Sequence, residues 1–85
     1  MSQVGTEVNG KAAEYAARKA VAGVNEEKIR EAGGLSFEQT GAIKAALERD
    51  LLGDVDGARK VLNKVLPIEE VDEILAVFEE AKKVA

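Results

Sequence analysis

Apolar side chains recur at helical spacing along most of this chain, and the longest uninterrupted run is the last one, from Leu66 to Ala85. Its apolar positions form one broad stripe of a helix: Ile68, Val71, Ile74, Leu75, Phe78 and Ala81. Pro67, the only proline, suits the first helical position because its missing N–H needs no partner there. The pattern therefore predicts a C-terminal helix around which the rest of the chain is organised.

Four shorter helical patterns precede this helix, and no stretch alternates as a strand would. In chain order they are an alanine-rich body over Lys11–Ala22, a short segment over Glu26–Ala32, a third helix between Ser36 and Gly53, and a fourth that ends at Leu66. The sequence therefore predicts an all-α fold, a small bundle of four to five short helices.

Polar residues and glycines mark the ends of these helices. Asn25 and Asp54 are suited to cap the second and fourth helices, and Ser36 with Gln39 forms a capping box at the start of the third. Gly23 stands where a left-handed helix end favours glycine. Residues 1–6 are predicted to be a flexible tail, with Thr6 or Asn9 capping the first helix.

The two halves of the helical region share a spacing of two alanines and a glycine: Ala12, Ala16 and Gly23, then Ala42, Ala46 and Gly53. This predicts two helical hairpins plus the longer C-terminal helix, which closes a core made by the third and fourth helices. The predicted core consists of Ile29, Leu35, Phe37, Ile43, Leu47, Leu51, Val55, Val61, Leu62, Val65, Ile68, Val71, Ile74, Leu75 and Phe78.

Two features of the pattern leave alternatives open. The first helix is rich in alanine, so it suits close packing, either inside the domain or against another chain. Gly41 interrupts the third helix, either as a tolerated cost of about 1 kcal/mol relative to alanine or as a place where another backbone comes close.

Composition narrows the classes of function. The 85 residues predict one domain spanning residues 1–85, without a membrane-spanning run or a signal peptide, and hence a cytoplasmic protein. The absence of histidine and cysteine removes the commonest general base, the thiol nucleophile and the usual transition-metal ligands, so we expect neither an enzyme nor a bound cofactor. The net charge of −4 disfavours a nucleic-acid partner.

An acidic loop around Asp54 and Asp56 has part of a calcium-loop pattern. Aligned with that pattern, however, Leu52 takes the first ligand position and Asn63 the twelfth, where a bidentate glutamate is needed. The sequence therefore favours a helix cap over a metal site.

Two partial family resemblances concern the middle of the chain. Gly53–Ala58 followed by Leu62 resembles the second helix of a tetratricopeptide repeat, which implies a helical hairpin. Residues 26–66 resemble ubiquitin-associated domains in their order of three helices and two glycine turns, although the methionine-glycine-phenylalanine loop of that family is replaced by Gly33–Phe37. That resemblance implies a small module that binds ubiquitin through Leu35 and Phe37.

The asymmetric charge of the last helix supplies the main functional hypothesis. Residues 67–85 contain six acids and two lysines, which equals the whole net charge of the chain. We therefore expect a non-catalytic protein-interaction or adaptor domain, with the candidate partner-binding residues Glu69, Glu70, Asp72, Glu73, Val77 and Val84. Val77 and Val84 stand at the margin of the apolar stripe and are either core or a small exposed apolar edge. Such an edge would serve the alternative function, a structural subunit of a helical homo-oligomer, so the partner is another protein or a second copy of the chain.

Overall fold

The computed structural model describes residues 10–84, and within them the chain is entirely α-helices and short turns. The helices are α1 (Gly10–Val21), α2 (Glu26–Gly33), α3 (Phe37–Leu51), α4 (Val55–Asn63) and α5 (Ile68–Val84). The all-α bundle predicted from the sequence is confirmed. The predicted tail over residues 1–6 and the caps at Thr6 and Asn9 lie outside the described residues.

The helices begin where the polar caps predict. The Asn25 side chain accepts a hydrogen bond from the Glu27 N–H at 2.7 Å, and Asp54 accepts one from the Gly57 N–H at 2.9 Å. At the start of α3, the Ser36 hydroxyl accepts from the Gln39 N–H at 3.0 Å, and the Gln39 side-chain carbonyl accepts from the Ser36 N–H at 2.9 Å. Each cap satisfies N–H groups that a helix start leaves without an internal partner.

The spacing shared by the two halves appears in the structure as a shared helix ending. Gly23 and Gly53 have φ values of +86° and +91°, a region that only glycine enters readily. After α1, Val24 N–H donates to the Lys19 carbonyl at 2.9 Å, and after α3, Asp54 N–H donates to the Arg49 carbonyl at 2.8 Å. Both endings are Schellman motifs, and each is followed by a capped helix.

The helices pair as two hairpins and one long helix, but the long helix packs differently from the prediction. The α3–α4 and α1–α5 pairs are the most extensive, whereas α5 touches α3 and α4 only lightly. The expectation that α5 closes a core made by α3 and α4 is therefore wrong, because α1 provides its main packing surface. Alanines on α1 make this possible, since their small side chains let another helix come close.

One hydrophobic cluster links all five helices. Its buried members include eight residues predicted to be core: Ile29, Leu35, Ile43, Leu62, Val71, Ile74, Leu75 and Phe78. It also contains residues missing from that prediction: Ala13, Ala16, Ala17, Ala20, Ala46, Ala58, Leu66 and Val77. Leu47, Val61 and Val65 are partly buried against the cluster.

Four predicted core residues are exposed, and all four stand at a helix end. Phe37 and Leu51 are the first and last residues of α3, Val55 begins α4, and Ile68 begins α5. Phe37 is 68% exposed and lies under the Arg30 guanidinium, whose central carbon is 5.0 Å from the ring centre. Helical periodicity assigned these residues to the inner face of their helices. At a helix end, however, the chain turns away, and fewer neighbouring residues cover the side chain.

The structure resolves both alternatives that concern small residues. Ala13, Ala16, Ala17 and Ala20 are buried inside the chain, which identifies α1 as an internal helix. A Cβ added at Gly41 would meet no atom within 4 Å, so no other part of residues 10–84 approaches this glycine closely. Gly41 therefore lowers the stability of α3 through its low helix propensity, and it does not serve close packing.

Candidate partner-binding surface

The outer side of α5 carries most of the acidic residues predicted to bind a partner. Glu69, Asp72 and Glu73 are exposed, and so are Glu79 and Glu80 further along the helix. We call these five residues the acidic stripe. Their spacing of three and four residues repeats with the helical turn, which keeps them on one side of α5.

Two of the proposed binding residues face the core. Glu70 is only 9% exposed, because it stands one turn before Ile74 on the inner side of α5. Val77 is 5% exposed and belongs to the hydrophobic cluster, one turn after Ile74. Both residues are therefore covered in the structure, and of the two alternatives for Val77 it shows the core. The side chain of Val84 lies outside what the structure describes.

Basic residues of two other helices already contact the acidic stripe. Arg59 of α4 donates a hydrogen bond to Asp72 at 3.0 Å, and Arg18 of α1 lies 3.7 Å from the Glu80 carboxylate. Arg18 also donates two hydrogen bonds to Glu14, at 2.8 and 3.1 Å. The hydrogen bond to Glu14 raises the pKa of Arg18, and the charges of Glu14, Glu80 and Glu73 act in the same direction. The side of α5 that faces α1 therefore attracts cations.

A shallow furrow runs between α1 and α5 beside this stripe. Glu14 and Arg18 border it on α1, and Glu73, Ala76 and Glu80 border it on α5, around a cavity of about 400 Å³. A second cavity of about 250 Å³ continues it toward Val21 and Ala81. Low-numbered residues of α1 border low-numbered residues of α5, so the two helices run in the same direction and their C-terminal ends meet.

The furrow leads to an exposed apolar surface at the C-terminal ends of α1, α3 and α5. Val21, Leu47, Leu51 and Ala81 line a third cavity there, of about 210 Å³, with Phe78 and Lys82 completing its wall. Leu52 follows directly in the chain and is 86% exposed, and Val55 stands just beyond the turn. We call Val21, Leu51, Leu52 and Val55, together with this cavity, the apolar end.

A buried carboxylate lies beside the apolar end. Asp50, in the last turn of α3, is 2% exposed, and Lys82 Nζ lies 2.8 Å from its Oδ1 atom. At this distance the Lys82 ammonium is the ion-pair partner of the buried carboxylate. Asp50 in turn raises the pKa of Lys82 above the ordinary value of 10.5. The pair ties the end of α5 to the end of α3 and holds the cavity wall in place.

The remaining chemistry in the described part of the chain is structural. Residues 10–84 contain no cluster of acids arranged to hold a metal ion. Asp54, from the acidic loop, caps α4 by accepting a hydrogen bond from the Gly57 N–H. Its carboxylate also lies 3.4 Å from the Arg49 guanidinium. None of the helices within residues 10–84 is long and apolar enough to cross a membrane.

The apolar end was missed by the sequence analysis, although one signal for it was present. Leu51 and Leu52 are adjacent, and consecutive residues of a helix point about 100° apart, so a narrow inner face does not hold both. Gly53 then ends the helix immediately. Two large apolar residues directly before a helix stop therefore indicated at least one exposed leucine.

Comparison of the chain with protein-family models, with curated proteins and with solved structures finds no match. The resemblances to tetratricopeptide repeats and ubiquitin-associated domains are accordingly not supported by a family model, and they carry no functional argument. The surface itself provides the basis for a function.

Proposed function

We propose that this chain is a non-catalytic protein-interaction domain whose partner covers the apolar end. The observation that carries this proposal is the apolar cavity lined by Val21, Leu47, Leu51 and Ala81, with the exposed Leu52 next to Leu51 in the chain. Single exposed apolar residues are normal on a protein surface, but a contiguous group beside a cavity is typical of a binding site. The position of the group, at the end of three helices, leaves it open to a partner.

A partner would gain free energy by burying the apolar area that is exposed to water in the isolated chain. Burying a leucine or valine side chain completely stabilises by about 1.5–3 kcal/mol. Leu51 and Leu52 together therefore offer a few kcal/mol to any partner that removes them from water, before the cost of association is subtracted. Neither side chain belongs to the hydrophobic cluster, and Leu51 and Leu52 are 65% and 86% exposed.

The acidic stripe has a supporting part in this proposal. Its exposed residues continue from the first turn of α5 to the edge of the apolar end, where Glu80 and Ala81 line the same cavity. Charges at the rim of an interface mostly raise the association rate and select the partner. We therefore assign affinity to the apolar end and selectivity to the acidic stripe, in a protein whose expected cytoplasmic location stays a prediction.

A homo-oligomeric subunit is the second candidate, and the apolar end is also the observation that favours it. Two earlier reasons for it no longer hold, because α1 packs internally and Val77 is in the core. Sedimentation equilibrium separates the candidates: a concentration-independent mass of 9.0 kDa supports a separate partner, and a dimer supports self-association.

Site-specific photo-crosslinking in cells tests the proposal directly. Leu52 is replaced by the photo-crosslinking amino acid p-benzoylphenylalanine, and the matched control carries the same replacement at Ala45, an exposed position of α3. We expect a discrete adduct to one other protein from position 52 and none from position 45. Equal adducts from both positions, or no adduct from position 52, would overturn the proposal.

A further inference from the structure

The apolar end and the furrow between α1 and α5 form one continuous surface, and its shape and charge define a class of partner. The three cavities share lining residues in sequence: Arg18 and Glu80 border the first two, and Val21 and Ala81 border the last two. On α5 the surface extends from Glu73 to Lys82, which is about 14 Å at 1.5 Å per helical residue. A partner helix of about ten residues has the length to fill it.

The charge of this surface is negative. Along its length the acids Glu14, Glu73, Glu79 and Glu80 outnumber the bases Arg18 and Lys83. Lys82 lies 2.8 Å from the buried carboxylate of Asp50 and 3.4 Å from Glu79, and the surface stays net negative when Lys82 and Asp50 are both counted. The C-terminal ends of α1, α3 and α5 also meet here, and each helix C-terminus carries a partial negative charge.

Arg18 shows how such a surface binds a cation. Its guanidinium is placed between Glu14 of its own helix and Glu80 of α5, at 2.8 and 3.7 Å. A lysine or arginine of a partner helix would find a further carboxylate two turns earlier on α5, at Glu73, and another beside Glu80, at Glu79, which lies 3.4 Å from Lys82. The apolar residues of that helix would meet Val21 and Leu51 at the end of the furrow.

We infer that the occupant of this surface is a basic amphipathic helix of another protein, with apolar side chains on the apolar end and lysine or arginine side chains along the acidic stripe. The inference rests on the proposed function and adds the chemistry of the partner. A second copy of this chain fits less well, because its own exposed α5 residues are acidic and would repel the stripe.

The test uses two synthetic helical peptides of about 14 residues with the same leucines at positions i, i+3, i+4 and i+7. In one peptide all remaining positions are lysine, and in the second peptide they are glutamate. Titration of the full chain is followed by amide chemical shifts. We expect the lysine peptide to bind at least about tenfold more tightly, to shift Val21, Leu51 and Ala81, and to weaken as salt rises from about 0.05 to 0.5 M.

Matched variants separate specific docking from general attraction between opposite charges. The double variant Glu73→Gln and Glu79→Gln removes two charges from the furrow, and the control Glu31→Gln and Glu38→Gln removes two from the opposite end of α3 and from α2. The first should weaken binding of the lysine peptide about threefold to tenfold and the second less than about twofold. Equal weakening by both variants would overturn the inference.

The remaining outcomes distinguish this inference from the proposed function. If the two peptides bind equally and position 52 still gives a specific adduct, the proposed interaction domain is supported. The inference that its partner is basic is then wrong. A crosslink from position 52 to a second copy of this chain would likewise overturn the basic helix and identify the homo-oligomer. Absence of any adduct at position 52 would remove the proposed function itself.

Discussion

The alanine face of α1 and the apolar end of the molecule meet at the C-terminal end of that helix, yet they place apolar residues in opposite environments. Ala13, Ala16, Ala17 and Ala20 are small and buried, whereas Leu51 and Leu52 are large and exposed. Hydrophobicity alone predicts the opposite, because leucine is more hydrophobic than alanine and would be expected to be buried first. The difference teaches that burial in this small bundle depends first on whether a neighbouring helix covers the position and only then on side-chain size.

Burial depends on whether another helix lies against that part of the chain. The alanine face runs from the first turn of α1 to the last, and α1 is contacted by α2, α3 and α5. Leu51 is the last residue of α3 and Leu52 follows it, where the chain turns away. The large side chains therefore project past the core, and they become the surface that we assign to a partner.

The two phenylalanines give the largest test of this comparison. Phe78→Ala should reduce the free energy of unfolding by about 3–5 kcal/mol, because the ring is 1% exposed and lies in the middle of α5. Phe37→Ala should cost less than about 1 kcal/mol, since it removes only an exposed ring and its contact with Arg30. Urea unfolding measures both changes.

Similar losses from both phenylalanine substitutions would mean that the start of α3 is part of the core. The comparison between the covered alanine face and the uncovered ends of α3 would then fail. A loss at Phe78 of less than about 1 kcal/mol would show that the core is elsewhere, because truncation of a large buried side chain always removes transfer energy.

Enlarging an alanine tests the other half of the comparison. Ala17→Leu should destabilise by about 1–3 kcal/mol, because Ala17 is fully buried and its site has no space for three more carbons. Ala45→Leu adds the same atoms on the exposed side of α3 and should change stability by less than about 0.5 kcal/mol. Thermal unfolding of the two variants measures the difference. An unchanged melting temperature for Ala17→Leu would contradict close packing at the alanine face.

Most of the fold follows from local signals in the sequence, and the arrangement of the helices does not. Asn25, Ser36 and Asp54 predicted three helix starts, and Gly23 and Gly53 predicted two helix ends, because caps and left-handed turns depend only on neighbouring residues. The pairing of α5 with α1 depends on contacts between residues about 60 positions apart. Helical periodicity shows which face of a helix is apolar but not which helix covers it.

The candidate site was partly predictable for the same reason. Glu69, Asp72 and Glu73 were placed on the exposed side of α5 by charge alone, and the structure keeps them there. Val77 could not be assigned from the sequence because it stands at the margin of the apolar stripe, where only the packing of α1 decides whether it is covered. The apolar end needed the three-dimensional meeting of three helix ends, and no single segment of the sequence contains it.

Glycine substitutions give the smallest effect, and they test whether the close approach at the alanine face is repeated on α3. Gly41→Ala should increase the free energy of unfolding by about 0.5–1 kcal/mol, because the added methyl group meets no atom within 4 Å and alanine favours the helix. Gly57→Ala provides the matched control. There the new methyl group collides with the Asp54 carboxylate, and the loss of that cap, about 0.5–2 kcal/mol, offsets the gain in helix propensity. Urea unfolding with an unchanged m-value measures both. A loss of stability in Gly41→Ala would mean that the outer face of α3 is as closely packed as the alanine face, and the contrast between the two helices would be wrong.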